Sequence, residues 1–513
     1  MSGFNEGAAC HMNAKPNASD DELLSKTREH DSQHDSKEKL IGNVVGVFAA
    51  NVAQRGSALA VYVLVGRILG AHEFGKLAIA VTLLFAWHTC FLLGMQTYLS
   101  REIVKNFSKM RTSFANAFFV GLISSVVGVL LVFPVCYLLG YSPATRSTIF
   151  ALFAGLTPFI LIQVCEAVFQ GTERMARVSW IVIPVSVLKV LVTGVVLNLG
   201  WGINAVAFTL AGCYWLVLIL ELAVLVCTEC PYPWRSFKLS AVPDMLRGSM
   251  AFFGIQAGNS VKGASIILLL SLSIGETAVG VYAAAVQLLS PVLLCFSSVA
   301  FGVFPALCRG TDRSKDKLAN IVQLMLEGML SIALPATIGL CWLGLPILLM
   351  LYENADFESS LMVLRIIAWS LIFQACTSIL GQLLWAGSSE LVAFRITLLN
   401  TLILCLLGVM LISLFGLVGA AVATLLAAAI NFLQHLRATT GYWSVSGFGE
   451  AIRFPAIGCA GMLAYLSFGS DQHPLVAIGG AALVYLFVLA LLWGMFRNGI
   501  QKMQALVNRS QYA

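Results

Sequence analysis

Apolar runs of about 20 residues recur from Val44 to Phe496, each bounded by polar residues or by Gly and Pro. A run of that length is what an α-helix needs to cross the roughly 30 Å hydrocarbon core of a bilayer. A chain that repeats it from end to end is left with few alternatives. Only 11% of the 513 residues are charged, about half of the roughly 25% that a soluble protein carries, and the mean hydropathy is +0.87. The short alternating segments of a transmembrane barrel are missing from the sequence. The fold class is an all-α polytopic membrane protein.

Hydropathy divides the chain into about fourteen spans, near 44–68, 74–96, 114–139, 148–170, 179–200, 203–227, 249–273, 278–302, 321–350, 361–386, 392–414, 417–436, 453–470 and 475–496. Basic residues cluster in alternate loops: Arg101, Lys105, Lys109 and Arg111 after span two, Arg174 and Arg177 after span four, Arg235, Lys238 and Arg247 after span six, and Arg309, Arg313, Lys315 and Lys317 after span eight. Arg437, Arg453, Arg497, Lys502 and Arg509 continue the series. The opposite loops, such as "YENADFESS" and "GSDQHP", carry acids instead. The positive-inside rule then puts both termini in the cytoplasm.

Two halves repeat. "FGKLAIAVTLL" from Phe74 resembles "VGVYAAAVQLL" from Val279, "GTERMAR" is echoed by "GSSELVAFR", and "GINAVAF" by "GLVGAAV". The three matches keep their order at offsets of roughly 205 to 216 residues, which suggests two homologous units of six spans. An even number of spans separates them, so the repeat is parallel, with a pseudo-twofold along the membrane normal. The expected layout is a tail over 1–40, an N-terminal lobe over 41–230, a C-terminal lobe over 231–440, and two extra helices with a tail over 441–513. Two pseudo-symmetric six-helix lobes plus two C-terminal helices are therefore expected.

The polar segment "SDDELLSKTREHDSQHDSKEKL" can form a helix capped at Ser19, but its composition favours a disordered tail over 1–40. It lacks an apolar h-region and is rich in acids, so it reads neither as a signal peptide nor as a transit peptide. The first span acts as an uncleaved insertion signal. Most of the thirteen cysteines lie inside apolar runs, as Cys90, Cys165, Cys295 and Cys405 do, where Cys behaves as a small hydrophobe. "CTEC" (Cys227 to Cys230) is a lone pair without a second, and carries neither a zinc nor a redox reading. No cofactor or metal is expected. The net charge of +6 is spread over many short loops, which excludes nucleic acid as a partner.

Three cations sit where membrane spans should be apolar: Arg55 in span one, Lys189 in span five and Lys262 in span seven. Arg55 is about 11 residues, roughly 17 Å of helix, from the nearer end of its span, too far for its side chain to reach a headgroup. Each such cation costs roughly 2.5–3.5 kcal/mol to insert. The acids Glu166, Glu221 and Glu327 read as lying near the cytoplasmic ends of their spans, away from these cations. A water-filled cavity between the lobes accommodates such charges, and a cavity lined by cations attracts an anion. Asn51 lies one turn from Arg55 and Asn259 one turn from Lys262, giving each helix a polar side. Matching "NVAQR" with "GNSVK" would set Arg55 and Lys262 facing each other across the pseudo-twofold. The competing reading is that carbonyls at a helix break or an unrecognised acid satisfy one or more of them, and it weighs most on Lys189.

His88, Gln163, Gln287, Gln374, Gln382 and Asn400 also lie within spans. Singly each reads as interhelical glue; as a set they could hydrogen-bond sugar hydroxyls, with Gln374 assigned to the substrate. His88 has the chemistry to couple transport to protons, against the blander reading of a hydrogen-bonded core histidine. Pro158, Pro184, Pro291 and Pro335 interrupt spans and permit bending.

"GRILGAHEFGKLAIA" (Gly66 to Ala80) resembles the R-x-L-G-x3-F-G signature of the polysaccharide transporters, the O-antigen and exopolysaccharide flippases of the multidrug/oligosaccharidyl-lipid/polysaccharide exporter superfamily. "VFQGTERM", "GVYAAAVQLL", "VFPALCR" and "LRIIAWSLIFQA…LLWAG" resemble later blocks in order, and Arg55 with Arg67 twelve residues on resembles the start of the related peptidoglycan-precursor flippases. The resemblance implies a fourteen-helix transporter in the bacterial inner membrane. It implies translocation of an undecaprenyl-diphosphate-linked oligosaccharide by alternating access, with no enzymatic activity. The implied partners are that anionic lipid and the bilayer; polysaccharide polymerase machinery is an open partner, and the coupling ion stays open between proton and sodium. Arg67 reads as a helix-dipole partner near Gly70 or a gate contact, and Arg365 as an outer-gate contact or an anchor. Two alternatives stand beside this. A multidrug antiporter shares the superfamily but needs a carboxylate deep in a lobe, and a membrane glycosyltransferase or polysaccharide ligase needs a larger periplasmic loop than 353–360.

Overall fold

The computed structural model describes residues 18–510, apart from 230, 232, 312–314, 388, 442–445 and 469–472. The described secondary structure is helical, with no strand: α1 (Ala18–Leu92), α2 (Met95–Lys105), α3 (Met110–Leu138), α4 (Pro143–Phe153), α5 (Leu156–Gly171), α6 (Met175–Asn198), α7 (Gly202–Thr228), α8 (Val242–Ser273), α9 (Glu276–Thr311), α10 (Lys315–Tyr352), α11 (Ser360–Ala368), α12 (Ser370–Ala386), α13 (Glu390–Ala438), α14 (Ser446–Phe468) and α15 (Pro474–Ser510). Among the described residues, eleven helical stretches are long and apolar enough to cross a membrane, and the bent pair α11–α12 makes twelve.

Two of these crossings count double. The apolar stretches Gly46–Leu92 and Leu391–Ala438 hold 47 and 48 residues, about 70 Å of helix and twice the thickness of the hydrocarbon core. Each is broken at one glycine with non-helical torsions, Gly70 in α1 (φ 80°, ψ 179°) and Gly416 in α13 (φ 57°, ψ −130°). The chain turns back at both. The rings of Tyr62 and Phe74 lie 5.1 Å apart, whereas twelve residues of straight helix would separate them by about 18 Å. A Cβ on Gly419 would stand 1.8 Å from the carbonyl oxygen of Leu411. Only glycine enters these torsions without steric cost. With both hairpins counted, the chain has the fourteen crossings that hydropathy predicts.

Residues 18–40, expected to be a disordered tail, continue α1 without interruption. No Gly or Pro falls between Ser19 and Leu40, so nothing in the sequence stops a helix growing outward from the span. Residues 1–17 lie outside the described part.

The repeat is visible as contact. At the end of the bundle that holds Gly70 and Gly275, the outer end under the positive-inside reading, α1 packs against α9. There His72 Nδ1 lies 3.2 Å from Thr277 Oγ1, and these residues are 205 positions apart. A Cβ on Gly75 would stand 1.8 Å from the Glu276 carbonyl oxygen, and one on Gly280 2.0 Å from that of Ala71. Gly75 and Gly280 share the same offset of 205. Residues related by a repeat touch each other only at the symmetry axis, so the pseudo-twofold passes between α1 and α9 here. The N-terminal lobe, α1 to α7, and the C-terminal lobe, α8 to α13, pack around it. The last two helices lie against α10, where Tyr485 donates to the Ser331 carbonyl at 2.8 Å and Leu343 packs with Cys459, Met462 and Ala481. The outward-facing surface exposes Leu130, Leu191, Phe208, Leu406 and Leu486, the composition of a lipid-facing belt.

Candidate functional site

Three hollows form a row across the pseudo-twofold, one in each lobe and one between the lobes. The N-terminal lobe encloses a cavity of about 420 Å³ between α1, α5, α6 and α7, whose polar lining is Asn51, Gln54, Gln163, Glu166, Ser186 and Lys189. The C-terminal lobe encloses about 330 Å³, with Asn259, Lys262, Ser370, Gln374, Thr424 and Asn431. A crevice of about 310 Å³ lies between the lobes, bordered by Thr82, Ser260 and Gln287. Tyr62, Val81 and Phe85 wall both the N-terminal cavity and the crevice. Gly263, Ile267 and Val286 wall both the crevice and the C-terminal cavity. The three are thus one row of adjoining spaces separated by shared side chains.

The offset of 205 carries through the lining. Gln54 and Asn259, Ala58 and Gly263, Tyr62 and Ile267, Leu77 and Tyr282, and Val81 and Val286 are equivalent pairs, and each pair lines corresponding cavities. This corrects the expected pairing of Arg55 with Lys262. At offset 205 the mate of Lys262 is Ser57 and the mate of Arg55 is Ser260; a shift of two residues is about 200° of helix rotation, so the two cations occupy different faces. Lys262 lines the C-terminal cavity with Asn259 and Gln374, whereas Arg55 is exposed and lines none of these hollows. Its mate Ser260 borders the crevice, and Arg55 shares a face with Asn51 one turn before it and Tyr62 two turns after.

Lys189 and Asn51 meet in the N-terminal cavity. The Asn51 amide donates to the Val47 carbonyl at 3.0 Å, and Gln374 donates to Ser370 Oγ at 3.0 Å. Among the described residues, Arg55, Lys189 and Lys262 have no ion-pair partner. Lys76, by contrast, is buried but lies 2.7 Å from the Glu73 carboxylate. The acids, however, are not all remote from the cations. Glu166 lines the same cavity as Lys189, because Gln163, Glu166 and Gln170 fall three and four apart and make one polar face on α5. That spacing is readable in the sequence; position along the span, which was used instead, says nothing about facing.

The remaining candidates fall outside the row of cavities. The His88 ring lies against that of Phe159, centroids 4.4 Å apart and tilted by 48°, behind the cavity wall that Phe159 forms; its Nε2 has no hydrogen-bond partner. Arg67 pairs with Glu353, joining the N-terminal lobe to the loop after α10, an interlobe contact beside the helix end at Gly70. Arg365 Nε donates to the Cys341 carbonyl at 3.2 Å, within the C-terminal lobe, as an anchor does. Asn400 is buried and donates to the Ala427 carbonyl at 2.8 Å, interhelical glue.

Sequence reasoning missed most of the outer interlobe contacts. Glu276, at the start of α9, accepts from Thr145 Oγ1 at 2.6 Å and from Ser142 Oγ at 3.1 Å on α4. Tyr141 Oη and Ser271 Oγ lie 3.0 Å apart. With Arg67–Glu353 and His72–Thr277 these tie the two lobes together at the outer end. On the inner side, Gln256 donates to Thr97 Oγ1 at 3.1 Å, and "CTEC" contributes Glu229, which pairs with Arg174 and Arg177.

The family described as "Polysaccharide biosynthesis protein" matches residues 40–311, and that described as "Lipid II flippase MurJ" matches residues 239–454. Among curated proteins, the "Probable low-salt glycan biosynthesis flippase Agl15" of Haloferax volcanii is 25% identical over 180 residues, 35% of this chain and 38% of that protein. The match therefore spans well under half of that relative's length. The solved structure "Lipid II flippase MurJ, inward closed conformation" is similar with a TM-score of 0.75 at 16% identity, covering 88% of this chain and 99% of that one. An inward-facing multidrug resistance MATE family transporter of the MOP superfamily gives 0.64 at 15%, covering 77% and 98%. At such identities the likeness is one of fold.

Proposed function

Since the chain belongs to the polysaccharide biosynthesis protein family, which matches it over residues 40–311, we propose that it is a flippase for an undecaprenyl-diphosphate-linked oligosaccharide. The observation that carries this reading is the row of adjoining cavities across the pseudo-twofold, with an unpaired lysine in the cavity of each lobe. Each intramembrane cation costs roughly 2.5–3.5 kcal/mol, and a diphosphate group offsets that cost whenever it occupies the site. Lys262 holds the diphosphate from the C-terminal cavity, and Lys189 faces it from the N-terminal cavity across the crevice. Asn51, Gln163, Asn259 and Gln374 offer amides to sugar hydroxyls, while the prenyl chain stays in the bilayer. Alternating access follows from rocking of the lobes about the α1–α9 contact, with the outer interlobe bonds parting in one half of the cycle.

On this reading the protein is a transporter without cofactor, placed in the bacterial inner membrane with both termini cytoplasmic. It hands its cargo to polysaccharide polymerase machinery, and a proton or sodium ion drives the return. A second reading draws on Glu166. A carboxylate inside a lobe is what a cation antiporter of the same superfamily requires, and the N-terminal cavity has one. Lys189 in that cavity and Lys262 in the other favour the anion.

Deletion of the gene separates the two. Lipid extraction is expected to recover one undecaprenyl-diphosphate saccharide in excess, held in the cytoplasmic leaflet and cleared by the wild-type chain but not by Lys262→Ala. No accumulation, together with increased sensitivity to cationic dyes, would establish the antiporter instead.

A further inference from the structure

The N-terminal lobe buries a pair of acids that the anion site does not use. Glu221 on α7 is 0% exposed, and neither of its carboxylate oxygens has a hydrogen-bond partner. One turn before it, Val217 lines the N-terminal cavity, so Glu221 stands one turn beyond that lining residue. Glu166, on the neighbouring α5, lines the cavity itself, and α5 packs against α7. Several other membrane acids are satisfied: Glu73 by Lys76, Glu229 by Arg174 and Arg177, and Glu276 by two hydroxyls.

The surroundings supply no counter-charge to Glu221. From α5 it meets Cys165 and Glu166. Lys189 of α6, Tyr62 of α1 and Cys213 and Tyr214 of α7 line the cavity, while α2, α3 and α4 add nothing to its lining. Lys189 makes no ion pair with either acid. Burying an ionised carboxylate with neither partner nor hydrogen bond costs several kcal/mol, and two adjacent carboxylates cannot both carry charge cheaply. A proton neutralises a buried carboxylate without needing further oxygen ligands around it.

We propose that Glu166 and Glu221 form a proton-binding site in the N-terminal lobe, holding one proton between them and exchanging it with cavity water through Glu166. The site titrates as a pair. Gain of the proton removes one negative charge from the wall of the cavity that Lys189 also lines, and its loss to water restores that charge. If the flippase reading holds, an anionic cargo and this proton favour each other's binding, because linkage is reciprocal.

Infrared difference spectroscopy of the full chain in lipid bilayers tests the site without any cargo. The wild type is expected to lose one protonated-carboxyl band as pH rises. Glu221→Gln and Glu166→Gln should each abolish or displace that band, while the exposed Glu358→Gln leaves it in place. Should Glu221→Gln fail to fold, Glu221→Asp must shift the midpoint of the same band. A band that titrates unchanged in both glutamine variants, or one that never titrates, overturns the site whatever cells export. Inorganic diphosphate added to the wild type should move the midpoint to higher pH; an unmoved midpoint overturns the link to the anion. Failure of the flippase reading shows separately, in the lipids that accumulate on deletion.

Discussion

The N-terminal and C-terminal lobes follow the same path and fill it differently. Equivalent positions 205 residues apart line both cavities: Gln54 answers Asn259, and Val81 answers Val286. The charged groups do not repeat. The N-terminal cavity holds a lysine and a glutamate, Lys189 and Glu166. The C-terminal cavity holds Lys262 alone among amides and hydroxyls. Backbone geometry thus obeys the repeat, because each lobe must pack the same hairpin against the other at the axis. Chemistry departs from it: on the proposed reading, one cargo lying across the axis presents different groups to its two sides, with a fixed negative group at the C-terminal cavity and a changeable charge in the N-terminal one.

Where the lobes are alike, matched substitutions should behave alike, and here the largest effects are expected. A Cβ on Gly75 or Gly280 meets a carbonyl oxygen at 1.8 or 2.0 Å, well inside contact distance, and neither backbone can yield without moving its lobe. Gly75→Leu and Gly280→Leu should each cost more than the 1–3 kcal/mol typical of overpacking. Both are expected to lower membrane abundance to near background, as read by immunoblot and thermal unfolding. A normal level for one alone would break the symmetry at the axis.

Where the lobes differ, so should the variants. Lys262→Ala is expected to reduce glycan export about tenfold or more, equal to about 1.4 kcal/mol or above, at unchanged abundance. Lys262→Arg should keep most activity, since a wet cavity asks for charge more than for a particular fork. Lys189→Ala should cost less, about threefold, because its cavity also holds a carboxylate, Glu166, and so suits an anion less well. Adding Glu166→Gln to Lys189→Ala should then give less than the sum of the two losses. Strict additivity would mean that the two groups act independently.

The fourteen crossings were legible because each is an apolar run, and the hairpins at Gly70 and Gly416 coincide with breaks in hydropathy. The repeat was legible too, in "FGKLAIAVTLL" and "VGVYAAAVQLL", but its register in the preceding helix was not. Matching Arg55 to Lys262 aligned residues by charge, whereas the contact of Gly75 with the α9 backbone fixes the offset by sterics. Glu166 escapes for a related reason: its depth along the span does not give the direction of its face. Glu221 and Glu276 owe their environments to helices distant in sequence, which no local pattern reports. The helical stretch over residues 18–40 shows that polarity alone does not unwind a segment that adjoins a long helix.

The smallest effect should come from the outer contact between the lobes. Arg67 and Glu353 are both about half exposed, and such pairs contribute about 0–1 kcal/mol. Arg67→Ala or Glu353→Gln should change export by no more than about fivefold, and a charge-reversed double variant should recover it. A loss comparable to that of Lys262→Ala would make this pair part of the site and not of its frame.

The central claim is that cations lining a mid-membrane cavity hold a phosphorylated lipid. Native mass spectrometry of the purified chain with undecaprenyl diphosphate addresses it without depending on export. The account predicts a retained adduct for the wild type and for Lys262→Arg, and its loss in Lys262→Ala. Equal retention by Lys262→Ala would contradict it.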